Sequence, residues 1–370
     1  MKKILLGTTA IIALSTISAE AFAAEKIKLE LGGFMRQYVG LTNHDEVAVT
    51  ALSAETRGLD LGMHSNTEVY FRGATTLDNG LSVSVDIQRE SDKSTGRRTD
   101  VSAMTISSDQ LGALTVGSTA AAMDDFAIRV PQATGLDWSD AYGYGSVAGV
   151  VGNATTFDLQ STVNVEETGG KDGKLKYVSP TFAGVSVLAS YTPAAAATAA
   201  SNLSGGTNAS NDEAAYGVTY NGEVSGVALG FDAGQLRQNG TRRTTHYGAS
   251  VGMAGFTVAG GYRKAKDDVT IANAAGDKIN TGKAYEIGVG YETGPYTVTA
   301  GYMRTESEGT VANVAKNVDK HWALAAAYDM GAGVVLVADY WHAKSENEAA
   351  ARVQADGTVS GLIAGVEVGF

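Results

Sequence analysis

The chain has 370 residues, and 40 acidic against 28 basic side chains give a formal net charge of -12 at pH 7. This balance, with no basic cluster along the sequence, argues against a nucleic-acid partner, and the absence of cysteine excludes disulfides and thiolate metal sites. Glycine is frequent (46 residues) and proline rare (4), but the glycines stand inside alternating segments, so this composition does not indicate disorder.

The N-terminus predicts an export signal. Lys2 and Lys3 form a basic start, residues 4–17 are mostly apolar, and residues 21–23 (Ala-Phe-Ala) match the small-x-small cleavage pattern. We predict that residues 1–23 are a cleaved signal peptide and that residues 24–370 form one exported domain, the alternative being a buried first helix. Beyond residue 23 no run of about 18 apolar residues occurs, which excludes ordinary transmembrane helices.

The mature chain alternates with the period of a β-strand. In residues 81–88 all odd positions are apolar and all even positions polar, and residues 227–232, 285–291 and 296–302 behave similarly. A soluble sandwich would pack the apolar face on a second sheet. Here the polar face is rich in glycine and charge and the segments are near ten residues long, as in strands that span a bilayer.

The connections alternate between short and long. Seven short turns rich in Gly, Asn and Asp are predicted at residues 78–80, 109–112, 180–183, 221–223, 252–255, 293–294 and 330–332. With them go eight long loops, among them residues 42–64, 193–212, 265–282, 305–319 and 343–358. The fold class is therefore all-β, a 16-stranded antiparallel transmembrane β-barrel. The predicted strands start near residues 27, 65, 81, 98, 112, 173, 183, 213, 225, 243, 255, 283, 295, 320, 333 and 360.

Aromatic residues form two predicted belts about one membrane thickness apart, where amphipathic rings prefer to lie. One belt lies beside the short turns: Tyr220, Phe256, Tyr291, Tyr296, Tyr328 and Phe370. The other lies at the loop ends: Tyr191, Tyr262, Tyr285, Tyr302, Trp322 and Tyr340. In the last strand, Leu362, Ala364, Val366, Val368 and Phe370 share one face, as expected of a strand that meets lipid on one side.

The order of several short motifs resembles the Gram-negative general diffusion porins of the alphaproteobacterial type over the whole mature length. The motifs are residues 29–36, 69–73, 111–117 and 174–184 and the terminal Phe370. The resemblance implies a homotrimer of water-filled barrels in the cell outer membrane, with a long third loop folded inward to narrow each pore. It also implies that Phe370 is part of the signal read by the barrel-assembly machinery. Lipids and lipopolysaccharide are the expected surroundings.

The third loop runs from Ala120 to about Lys171 and is far longer than ordinary connections. It carries Asp124, Asp125, Asp137 and Asp140 but few basic residues besides Arg129. These residues predict that the loop brings carboxylates to a pore constriction. The alternative is a surface loop whose carboxylates are solvated.

Strand parity predicts a charged inner wall. It places Arg36, Glu68, Arg72, Asp86 and Asp100 there, together with Glu30 and Glu90. The resemblance implies a line of arginines opposite the acidic loop, but Glu68 and Asp100 stand where two of them are expected. We therefore predict passive diffusion of small hydrophilic solutes and ions with a modest cation preference; mutual neutralisation of these charges would leave selectivity weak.

Other functions have less support in the sequence. Residues 248–252 match the hydrolase elbow G-x-S-x-G, yet they lie in an alternating strand where that strand-to-helix turn does not fit. The adjacent His44, Asp45 and Glu46 cannot easily converge on a metal, and no carboxylate spacing singles out a calcium site, so no cofactor is predicted. A solute-selective channel, an adhesive or structural barrel, and a barrel enzyme remain the alternatives.

Overall fold

The computed structural model describes residues 26–44, 60–92, 99–136, 171–193, 212–238, 242–267, 282–308, 316–347 and 357–370. These residues form sixteen strands and one short helix, α1 (Ala122–Phe126). The first eight strands are β1 (Glu30–His44), β2 (Asp60–Thr76), β3 (Ser82–Glu90), β4 (Thr99–Ser108), β5 (Gly112–Ser118), β6 (Gly173–Val178), β7 (Val185–Thr192) and β8 (Glu213–Val224). The others are β9 (Val227–Gln238), β10 (Arg242–Met253), β11 (Phe256–Asp267), β12 (Gly282–Thr293), β13 (Tyr296–Glu308), β14 (Lys316–Gly331), β15 (Val334–Asn347) and β16 (Gly357–Gly369).

The strands form one closed antiparallel barrel. Each strand pairs with its neighbours in the chain, and β1 pairs with β16 from Phe34 opposite Gly369 to His44 opposite Val359. Closure leaves no free sheet edge, so the strands pair their backbone groups with one another. The predicted fold class is confirmed, and the predicted strand starts agree with the observed ones to within about five residues.

Several strands extend further than the sequence predicted. β1 continues to His44 and β2 begins at Asp60, so both ends of the predicted loop 42–64 are strand. Likewise, β14 begins at Lys316, inside the predicted loop 305–319, and β15 ends at Asn347, inside the predicted loop 343–358. The added ends of β14 and β15 carry charged outward residues such as Lys320, Lys344 and Glu346, so the alternation that marks a membrane-facing strand fades there before the pairing ends. On β2, by contrast, Leu61 and Met63 continue the apolar outer face.

One predicted turn was wrong. Residues 221–223 lie inside β8, and the hairpin turns at Ser225 and Gly226, whose φ angles are 52° and 81°. The Asn-Gly dipeptide at 221–222 is a strong hairpin signal, but the register that opposes Tyr220 to Phe231 carries both strands beyond it. Residue pairs 183–184, 254–255 and 332–333 also have positive φ at both positions, as tight type I′ hairpins require.

The outer surface of the barrel is apolar and ends in aromatic rings. Leu324 and Ile287 are 50% and 58% exposed, while their chain neighbours on the other face are buried. The rings of Phe256 and Tyr291 pack in a tilted arrangement with centroids 4.3 Å apart beside a short turn, and those of Trp322 and Tyr340 do so at 5.3 Å near the loop end. Within the described residues, no helix is long and apolar enough to cross a membrane.

Candidate pore wall

The connection between β5 and β6 lies against the inner wall over its described part, residues 119–136, here called the third-loop segment. α1 buries Ala122, Met123 and Phe126 against Leu188 and the neighbouring inward residues of β8 and β9. Its first backbone N–H, that of Ala122, donates to the Ser190 hydroxyl at 3.0 Å. A helix start leaves such donors without intrahelical partners, so the wall supplies the missing acceptor.

Backbone N–H groups of the segment then donate to side chains of four more strands. Ile128 donates to Asp232 of β9 at 2.7 Å and Val130 to Glu286 of β12 at 3.1 Å. Ala133 donates to Thr299 of β13 at 3.2 Å, and Gly135 to Glu367 of β16. Because an irregular segment cannot pair these donors with itself, inward acceptors of the wall hold it in place. Sequence reasoning missed this role of Asp232, Glu286 and Glu367.

Inward glycines make room for the segment. A Cβ at Gly217 or Gly234 would overlap the ring of Phe126, and one at Gly248 would overlap the Ile128 side chain. On β8 to β10, these glycines seat the third-loop segment.

The far end of the segment meets an apolar part of the inner wall. Val130 and Leu136 pack in a buried cluster with Tyr38, Trp341 and Ile363, and Trp341 and Ile363 are each 1% exposed. This apolar lining was not predicted. The inner face of the last strand otherwise carries glycine and glutamate from residue 361 onwards, and Ile363 is the exception. This exception is the sequence signal for the apolar lining.

Arg36 anchors the same end. Its guanidinium donates to the Gly135 carbonyl at 3.2 Å, lies 3.8 Å from a Glu367 oxygen and stacks over the Phe34 ring at 4.0 Å. The Tyr38 hydroxyl donates to the other Glu367 oxygen at 2.9 Å. Arg36 thus lies against the third-loop segment, and its charge is engaged by Glu367.

Arg72 and Asp86 form a second ion pair on the inner wall. Arg72 Nε lies 2.9 Å from Asp86 Oδ1, and Gln88 donates to the other Asp86 oxygen at 2.8 Å. Their side chains are 45% and 20% exposed. The two predicted charges therefore neutralise each other where they reach water.

Three carboxylates converge on β2 to β4. Oxygens of Glu68, Glu90 and Asp100 lie within 4.8 Å of one another, and Lys171 forms an ion pair with Asp100. Burial lowers the pKa of Lys171, but Asp100 and Glu68 outweigh this and raise it overall, so Lys171 remains charged. Carboxylate oxygens are ligands that hard divalent cations accept, yet here Lys171 already supplies a positive charge.

Asp100 reaches this group through a β-bulge. In β4, Ser102 and Met104 are exposed outward, so simple alternation would turn Asp100 outward as well. The β3–β4 register shifts between Gln88 and Arg89, leaving Asp100 as the extra residue. A bulge of this kind re-aims a side chain. Asp100 therefore joins the group through the bulge, and not through the strand parity on which its prediction was based.

The loop carboxylates are paired with cations. Asp124 lies 2.8 Å from Arg129, and Asp125 contacts the Lys176 ammonium of β6. Asp137 and Asp140 lie outside the described residues, as do Asp45 and Glu46. Residues 248–252 are inside β10 and pair with two antiparallel neighbours, a setting unlike the hydrolase elbow.

A closed barrel of sixteen strands, with an apolar outer surface and a charged, glycine-rich inner wall, defines an outer-membrane channel protein. The sequence model of the Gram-negative porin family matches residues 7–348, and the chain therefore belongs to that family. It is an outer-membrane porin, a channel rather than an enzyme. No curated protein matches the sequence.

Solved porin-like structures share the fold at low sequence identity. A loop-deletion mutant of OmpT, an outer membrane protein of Vibrio cholerae, has a TM-score of 0.61 at 12% identity, covering 94% of this chain and 100% of that one. The anion-selective porin from Comamonas acidovorans gives 0.57 at 16% identity, covering 93% and 100%. A double mutant of the Rh. blastica porin gives 0.54 at 15% identity, with the same coverage.

Proposed function

We propose that this porin is a general diffusion channel of the alphaproteobacterial type for small hydrophilic solutes and ions, with a modest preference for cations. The group of Glu68, Glu90 and Asp100 carries the proposal, because three carboxylates face one lysine on the inner wall. Arg36 and Arg72 are each matched by a carboxylate, so they add little positive field. An acidic wall raises the local concentration of cations.

The third loop narrows the channel in this proposal. Its described segment contacts inward side chains of strands that include β7, β16 and β1. The proposed lining of the pore consists of Arg36, Glu68, Arg72, Asp86, Asp100, Asp124 and Asp125. Since Asp124 and Asp125 each contact a cation, the wall of β2 to β4 contributes most of the net negative charge.

We further propose export through the signal at residues 1–23, insertion by the barrel-assembly machinery through Phe370, and assembly as a homotrimer surrounded by lipid and lipopolysaccharide. The terminal ring is 58% exposed and thus accessible to a receptor. Leu61 and Met63, 68% and 76% exposed near the loop end of β2, offer apolar area to a second subunit. OmpT of Vibrio cholerae has been solved in a trimer form.

Reversal potentials across a planar lipid bilayer test the proposal. With a KCl gradient across the bilayer, K⁺ should cross the wild-type channel more readily than Cl⁻. The dilute side should therefore become positive relative to the concentrated side. The potential should shrink as the salt concentration rises, because salt screens the wall charges over about 10 Å at 0.1 M. A chloride preference at low salt, or no conductance at all, would contradict it.

A further inference from the structure

Two arginines and two aromatic rings of β1 and β2 form one continuous stack. The Arg72 guanidinium lies over the Tyr70 ring, 4.2 Å from its centroid, and the Arg36 guanidinium lies over the Phe34 ring at 4.0 Å. The two rings meet edge to face, with centroids 6.0 Å apart and planes at 70°. We call these four residues, in the order Arg72, Tyr70, Phe34 and Arg36, the stacked column.

Strand alternation places the stacked column on the inner face of the barrel. On β1, Leu31 and Met35 are exposed on the outer surface, so the two β1 residues of the column occupy the other face. On β2, Phe71 is exposed outward between the two β2 residues of the column. The column therefore belongs to the surface along which solutes of the channel pass.

The two ends of the column differ in their access to water. At one end, Arg36 donates to the Gly135 carbonyl of the third-loop segment, and its side chain is 27% exposed. At the other end, the Arg72 side chain is 45% exposed, and both rings are partly exposed. A solute that moves along this wall past the third-loop segment therefore meets the Tyr70–Arg72 end of the column.

Each guanidinium of the column already has a carboxylate beside it. Arg72 lies 2.9 Å from Asp86, and Arg36 lies 3.8 Å from Glu367. Glu68, the next inward residue of β2, adds a further carboxylate. The column therefore presents planar groups without an excess of positive charge, and it does not favour solutes with a net negative charge.

The exposed end of the column is a preorganised stacking surface. Tyr70 covers one face of the Arg72 guanidinium, and the hydrogen bond from Nε to Asp86 fixes its orientation. A guanidinium is planar and stacks on aromatic faces, so its exposed part can take a second ring. Because the surface is already ordered, a planar solute binds without the cost of ordering it. A saturated ring has no π face and lacks this contact.

We infer that the stacked column binds small hydrophilic solutes that carry a planar ring and no net negative charge, and that it holds them during passage. Free aromatic amino acids belong to this chemical class. The inference rests on the proposed function, because a diffusion channel brings such solutes to this wall. It adds a discrimination by ring planarity that passive diffusion alone does not provide.

The test compares L-phenylalanine with L-cyclohexylalanine as blockers of the K⁺ current through single wild-type channels in a planar bilayer. The two amino acids have the same charge and nearly the same size, but only phenylalanine has a planar ring. Phenylalanine should reach half-block at a concentration roughly threefold lower, the effect of one exposed cation–π contact. Apolar contact alone would give the opposite order, because the saturated ring is the more hydrophobic.

Variants of the column locate the effect. Tyr70→Leu should remove the threefold difference, because the Arg72 guanidinium loses the ring on which it lies. Should that variant not fold, Arg72→Gln/Asp86→Asn removes the guanidinium together with its carboxylate and should remove the difference too. Tyr247→Leu, at an exposed tyrosine on the outer surface of β10, is the matched control and should keep the wild-type difference.

Two results would overturn the inference: equal half-blocking concentrations of the two amino acids in the wild type, or a threefold difference that persists in the column variants. Reversal potentials in KCl alone test the proposed function separately. A chloride-selective wild type would contradict the proposed cation preference and leave this inference standing, because both amino acids carry no net charge.

Discussion

Glu68, Glu90 and Asp100 contribute three carboxylates to one spot of the inner wall, and Lys171 offsets one of them. At 10 Å in 0.1 M salt, one wall charge changes the energy of a passing monovalent ion by about 0.15 kcal/mol. The effect is small for each residue. The energy change favours cations and disfavours anions by the same amount. The ratio of their permeabilities therefore depends on twice this energy.

Glu68→Gln/Glu90→Gln should reduce the cation-to-anion permeability ratio by roughly threefold at 0.1 M salt, because two charges act on both ions. Reversal potentials in a planar bilayer measure this ratio. Asp78→Asn, in the exposed turn between β2 and β3, is the control and should leave the potential unchanged. An unmoved potential in the double variant would show that these carboxylates lie outside the conducting path.

Sequence reasoning assigned residues to the wall but could not show what they contact. Alternation placed Arg36 and Arg72 on the inner face, yet it could not show that Glu367 and Asp86 neutralise them, since each partner lies on another strand. Asp100 reaches its position through a β-bulge, and simple alternation along a strand cannot predict a bulge. Cross-strand partners depend on register, and register is not visible within a single strand.

At the scale of elements, the third-loop segment is held by acceptors spread over β7, β9, β12, β13 and β16. The unusual length of the connection between β5 and β6 indicated a structural or functional role. The sequence did not indicate which side chains of the wall accept its hydrogen bonds. Turn chemistry predicted most hairpins, and it failed where Ser225 and Gly226 took the positive φ angles.

Glu286→Ala should lower the melting temperature of the folded barrel, because the Val130 N–H loses its acceptor in a buried site. An unsatisfied buried donor costs about 1–3 kcal/mol. Glu286→Gln keeps an accepting oxygen and should lose much less stability. Thermal unfolding in detergent compares the two, and channel noise should increase in the alanine variant alone as the segment loosens. Equal melting of the two variants would argue against the Val130 anchor.

At the scale of the whole molecule, the first and last strands meet where the barrel closes. The Phe370 N–H donates to the Gly33 carbonyl at 3.1 Å, and the Gly33 N–H donates to the Phe370 carbonyl at 2.9 Å. The last residue is thus the final pair of the β1–β16 seam. Its ring lies against Gly33, where any Cβ would overlap the Glu68 carbonyl.

Deleting Phe370 should reduce the yield of folded barrel in the outer membrane and leave secretion across the inner membrane unchanged. The deletion removes both hydrogen bonds to Gly33 and the exposed ring. Phe370→Tyr retains an aromatic ring and the backbone bonds and should assemble like wild type, whereas Phe370→Ser should resemble the deletion. Fractionated membranes and heat-modified gel mobility measure the folded fraction. Normal assembly of the deletion variant would show that the terminal residue is dispensable.

The contact between Arg36, Gly135 and Glu367 also bears on the order of folding. Gly135 is 99 residues from Arg36 and 232 from Glu367 in the chain, and the two partners belong to the first and last strands. Contacts of such sequence separation form late, because the loop entropy must be lost first. We therefore expect this end of the third-loop segment to take its final position only after β1 and β16 have paired, so that closure of the barrel and anchoring of the segment occur together, late in assembly.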